Sequence, residues 1–124
     1  CGQTTNLIEP MLETGAQALS LDSMVNLPEI VKRMPEDVVL MGNLDSVRVM
    51  CQQSPNQVYA SAQELITAMQ GRPNFILSSA CDLPAETPLE NIHAMIDAAH
   101  GHAPGHTMPA DLEHDEIATM LEAD

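Results

Sequence analysis

Ser78-Ser79-Ala80-Cys81-Asp82-Leu83-Pro84 follows the apolar run Phe75-Ile76-Leu77 and precedes Thr87-Pro88-Leu89-Glu90. The apolar run predicts a short buried strand over 74–79, and Thr87 to Glu90 reads as a helix start. A strand that ends in hydroxyls, a thiol and a carboxylate, and then feeds a helix, is how α/β folds present chemistry.

The same alternation recurs upstream. Residues 4–14 predict a helix with Leu7, Ile8, Met11 and Leu12 on one face, Gly15 as its stop and Pro10 as an early break. Ala18-Leu19-Ser20-Leu21-Asp22 predicts a strand. Asn26 and Glu29 form a capping-box pattern for a helix to about Met34, with Pro28 in its first turn. Val38-Val39-Leu40-Met41 predicts a second strand that runs into a polar turn, Gly42-Asn43-Leu44-Asp45, with a helical turn over 46–52. Ser54-Pro55-Asn56-Gln57 is another capping box, opening a helix to about Gly71 with Val58, Ala62, Leu65, Ile66 and Met69 at helical spacing. The helix from Thr87 carries Ile92, Met95, Ile96 and Ala99 on one stripe and stops at Gly101.

The order is α-β-α-β-α-β-α, and the strands are continuous apolar runs. That pattern predicts an α/β fold with three parallel strands and flanking helices, the strands being covered on both faces. The polar strand ends supply Asp22, Asn43, Asp45, Ser78, Ser79, Cys81 and Asp82. Residues 1–101 form this unit; 102–124 read as an acidic tail with Leu112, Ile117, Met120 and Leu121 as the only apolar stripe of a short helix.

Composition narrows the partners. The formal charge is −14, with Lys32, Arg33, Arg48 and Arg72 as the only cations. Nucleic-acid binding needs clustered cations, so neither nucleic acid nor a bare anionic membrane is expected as a partner. No apolar run approaches the ~20 residues of a membrane span. Tyr59 and Phe75 are the only aromatics, so the core must draw on aliphatic residues and on the nine methionines. Three cysteines at wide spacing do not suggest a disulfide scaffold, and a reducing, cytoplasmic setting is expected. The chain opens on Cys1-Gly2 without an initiator Met, which points to a fragment or a processed product.

Cys1-Gly2, Met11-Leu12-Glu13-Thr14-Gly15-Ala16, Ala18-Leu19-Ser20-Leu21-Asp22, Gly42-Asn43-Leu44-Asp45 and Leu77-Ser78-Ser79-Ala80-Cys81-Asp82-Leu83-Pro84 with Thr87-Pro88-Leu89-Glu90-Asn91 form an ordered series. Over roughly residues 1–100 it resembles the later part of a uroporphyrinogen decarboxylase-like barrel. The resemblance implies the C-terminal part of a (β/α)8 barrel. In the zinc-dependent cobamide methyltransferases of that superfamily, a His-x-Cys-Gly motif and a later Cys bind zinc. Cys1-Gly2 resembles the end of the first motif and Cys81 the later ligand; the motif's His would precede Cys1. The decarboxylases carry His in an Asn-Leu-Gly-His-Gly context where this chain has Ser-Ser-Ala-Cys-Asp.

The methyltransferase branch implies zinc on Cys1 and Cys81, a methyl-corrinoid as methyl donor, a small-molecule thiol as acceptor and a corrinoid protein as a candidate partner. Asp22, Asn43, Asp45, Ser79 and Asp82 are candidates for binding substrate or orienting ligands; turn and cap chemistry accounts equally for the aspartates. Two alternatives stand beside this reading. One is a metal-free decarboxylase of porphyrin biosynthesis. The other is a catalytically incompetent fragment that acts only by association, self-association being expected through open strand edges. Cys51 reads as a buried structural thiol and His93 as a surface or packing residue. His100, His102 and His106 surround a helix end, where the dipole alone favours them.

Overall fold

The computed structural model describes residues 1–106. Its elements are α1 (Ile8–Glu13), β1 (Ala18–Ser20), α2 (Leu27–Ile30), β2 (Val39–Leu44), α3 (Pro55–Ala68), β3 (Phe75–Ser79) and α4 (Leu89–His100). The three strands form one parallel sheet in the order β1-β2-β3, with Leu19 opposite Leu40 and Leu40 opposite Phe75. This is the expected run of parallel strands with flanking helices. The acidic segment from residue 107 onward, with its predicted helix, lies outside the described residues.

Local chemistry explains most boundaries. The Ser54 hydroxyl accepts from the Gln57 N–H while the Gln57 side chain accepts from the Ser54 N–H, so both halves of the capping box form. Asn26 accepts from the Glu29 N–H and sets the start of α2. Pro10 sits in the first turn of α1, where no N–H is required. A one-turn 3-10 segment, Thr5–Leu7, precedes it. Ile8 enters the core as expected, but Leu7, expected on the same face, is half exposed. Gly101 ends α4 in the left-handed region at φ 70°. Pro88 rather than Thr87 occupies the N-cap of α4, without a side-chain cap.

β2 is longer than expected. Gly42, Asn43 and Leu44, expected as a turn, continue the strand and pair with Leu77, Ser78 and Ser79 of β3. The chain turns only at Asp45, whose carboxylate accepts from the N–H groups of Val47 and Arg48. At Gly42 a side chain has no room: a Cβ would lie 2.9 Å from the Leu21 carbonyl oxygen, and φ is +146°.

The core comprises two clusters beneath one sheet face. Ile8, Leu19, Leu27, Ile30, Val38 and Leu40 centre the first. Leu44, Met50, Val58, Ala62, Ala94 and Ala98 form the second, where three alanines let α3 and α4 approach closely. Buried Asn91 donates to the Met50 and Gln53 carbonyls and ties the 46–53 turns to α4. The other sheet face carries Ser20, Met41 and Ile76 in register. Ile76 there is 50% exposed, so the strands are not covered on both faces as their apolar runs predicted. A parallel sheet with helices on one face only is the geometry of a section of a (β/α)8 barrel, whose second face lines the barrel interior.

Candidate metal and substrate site

The carboxyl ends of the strands bring together residues far apart in sequence. Asp22 follows β1, Asn43 lies near the end of β2 and Cys81 follows β3. Cys1 reaches the same rim from the chain start. The Gly2 N–H donates to Oδ2 of Asp22 at 2.9 Å, fixing the Cys1-Gly2 segment against the loop after β1. Oδ1 of the same carboxylate accepts from the Met24 N–H and the Ser23 hydroxyl. Donation from the Gly2 and Met24 backbone holds the Asp22 pKa below its ordinary value, against a smaller opposing effect of burial.

Oδ2 of Asp22 lies 3.5 Å from Sγ of Cys81. One ligand atom each from Cys1, Asp22 and Cys81 fall within 4.8 Å of one another, and this is the only such metal-capable group among the described residues. An open hollow of about 500 Å³ lies over it, lined by Cys1, Ser20, Ser78, Ser79, Ala80, Cys81 and Asp82.

Cys1 and Cys81 are joined in a disulfide with Cα atoms 6.5 Å apart. The spacing argument against disulfides therefore fails for this pair. Eighty residues separate them in sequence, but the parallel crossovers return both to one rim. Bonded to each other, the sulfurs lack the negative charge of metal ligands; reduction by two electrons and two protons releases two thiols. Two thiolates beside a carboxylate repel unless a cation lies among them. The donor set is soft and anionic, which fits zinc better than magnesium or calcium.

The other candidates divide. Asn43 donates to the carbonyls of Asp22 and Val25, so it supports the loop that carries Asp22. Asp45 caps the turn after β2. The Ser79 hydroxyl donates to the Cys81 carbonyl at 2.9 Å. Asp82 is exposed at the edge of the hollow. Cys51 is half-buried and free. His100, His102 and His106 stack edge to face, with centroids 5.5 and 4.2 Å apart. They surround a loop held by donation from Tyr59 to the His102 carbonyl and from the Gly105 and His106 N–H groups to Asp97. Ser20 and Ser46 were missed by sequence reasoning. The signal for Ser20 is that it is the one polar residue inside the apolar run Ala18 to Leu21; Ser46 has none, because nothing local distinguishes it from a turn serine.

A family model described as uroporphyrinogen decarboxylase (URO-D) matches residues 1–102. Methylcobamide:CoM methyltransferase MtbA of Methanosarcina mazei is 31% identical over 102 residues, 82% of this chain and 29% of the relative. A uroporphyrinogen decarboxylase of Chlamydia caviae is 35% identical over 82 residues, 66% of this chain and 24% of the relative. A solved structure described as a methyltransferase from Methanosarcina mazei superposes with a TM-score of 0.71 at 24% identity, covering 82% of this chain and 29% of that one. The chain thus spans less than a third of the length of these proteins.

Proposed function

Since this chain belongs to the uroporphyrinogen decarboxylase (URO-D) family, we propose that its full-length protein is a zinc-dependent methyltransferase that moves a methyl group from a methyl-corrinoid to a small-molecule thiol. The observation that carries this reading is the convergence of Cys1, Asp22 and Cys81 within 4.8 Å at the carboxyl ends of the strands. The similarity to MtbA, named for transfer from methylcobamide to CoM, supports the direction of transfer.

Cys1 and Cys81 would hold the metal as thiolates. When bound, zinc stabilises a substrate thiol as thiolate at neutral pH. Asp22 fixes the Cys1-Gly2 backbone and adds negative charge beside Cys81. Asn43 holds the Asp22 loop in place. Ser20, Ser78, Ser79 and Asp82 offer polar groups to a substrate in the hollow above. A corrinoid protein is the expected partner at this rim.

Zinc analysis of the reduced full-length protein tests the assignment. One zinc per chain is expected, falling to near zero in Cys81→Ala and in Cys1→Ala. Zinc unchanged by both substitutions would overturn it. The similarity to a decarboxylase at 35% identity favours a second reading, removal of carboxyl groups from uroporphyrinogen. Turnover of uroporphyrinogen that survives Cys81→Ala, with no methyl transfer from methylcobalamin to a thiol, would establish that reading instead.

A further inference from the structure

We propose that Ser46 is the positioning residue of the Cys81 thiol. The β2–β3 ladder ends where the Ala80 N–H donates to the Leu44 carbonyl at 2.7 Å. Beyond that point β2 turns away at Asp45, and Cys81 loses a strand partner. The Ser46 side chain takes its place. Its hydroxyl accepts from the Cys81 N–H at 3.0 Å and donates to the Cys81 carbonyl at 2.9 Å. One hydroxyl thus does for Cys81 what a neighbouring peptide does inside a ladder.

Ser46 is buried, at 7% exposure, so water competes poorly for these bonds. The Ser79 hydroxyl donates to the same carbonyl. With both backbone polar groups of Cys81 held, its Cα–Cβ bond is aimed at the rim, and once the pair is reduced χ1 is the torsion that places the sulfur. Cys1 is held separately, through Gly2 and Asp22. Ser46 therefore governs how often the two sulfurs meet. This rests on the reading that Cys81 is a working group of the site, but its test requires no metal.

The test is the equilibrium of the Cys1–Cys81 pair in the full chain against a glutathione redox buffer. Glutathione disulfide oxidises the two thiols: the protein S–S bond forms, that of glutathione breaks, and both protons pass to the two glutathione thiols. Ser46→Ala should lower the constant for disulfide formation about tenfold, the size expected when a hydroxyl that holds two part-buried backbone groups is removed. Ser46→Thr and Ser46→Val give a matched pair of nearly equal volume that differs in the hydroxyl, so the Thr variant should stay within about twofold of wild type and the Val variant should follow Ala. Ser54→Ala, which removes a remote helix cap, should lower stability and leave the constant unchanged. Equal constants for the Thr and Val variants would overturn the proposal, as would an equal shift in Ser54→Ala. Failure of wild type to form the Cys1–Cys81 bond would overturn it too. Absence of zinc from the full-length protein would count against the metal reading alone and leave this redox comparison standing.

Discussion

At the scale of single residues, Asp22 joins the chain start to the strand ends. It accepts from Gly2, Met24 and Ser23 and lies beside Cys81. Its lowered pKa sets the sign of a pH effect. The unfolded chain binds the proton more readily, so the ionised carboxylate favours the folded state. That contribution is fully present above the ordinary value of 3.8 and is lost as pH falls through the lower folded value. Asp22→Asn should destabilise the chain by about 1 kcal/mol near neutral pH, a partly exposed site limiting the loss. The gap between variant and wild type should narrow as the pH falls below 3.8. Urea titrations at both ends of that range check this; a gap that does not change with pH would show that the charge contributes nothing. The cysteines separate at the same scale. Cys1 and Cys81 meet while Cys51 stays free, so alkylation before reduction should label one thiol per chain.

At the scale of elements, short-range chemistry decides where helices start and backbone approach decides how far β2 runs. The capping boxes were legible because each partner sits three residues from the other. Ser54→Ala should cost about 1 kcal/mol in thermal or urea unfolding. Gly42-Asn43-Leu44 was misread as a turn because glycine and asparagine favour turns. Pairing with β3 overrides that preference, and the glycine serves instead to admit the Leu21 carbonyl. Gly42→Ala should destabilise the chain by about 1–3 kcal/mol, through strain at positive φ and the clash with that carbonyl. A loss no larger than that of a surface substitution would argue against this account.

At the scale of the whole molecule, the sheet presents Met41 and Ile76 on a face that no described helix covers, and β1 and β3 are its two edges. Parallel strands of this kind are normally buried on both sides. The 124-residue chain is therefore expected to self-associate with rising concentration, the more so when salt screens its formal charge of −14. Ile76→Lys should reduce that association in sedimentation velocity runs. Monomeric behaviour of wild type at every concentration and salt level would sink the expectation. Three of the chain's four Lys and Arg side chains have partners: Arg72 donates to the carbonyls of Pro35 and Val38, and Lys32 and Arg33 face Glu29 and Glu9.

What the sequence determined by itself is the alternation of helices and strands, the parallel sheet, the caps of α2 and α3 and the rim on which polar residues collect. All of these follow from patterns within a few residues, or from the order of elements. The disulfide between Cys1 and Cys81, the contact of Asp22 with both of their segments, the length of β2 and the use of Ser46 in place of a missing strand partner were decided only by the tertiary structure. Each depends on contacts between segments tens of residues apart, and such contacts leave no periodicity or local spacing to read.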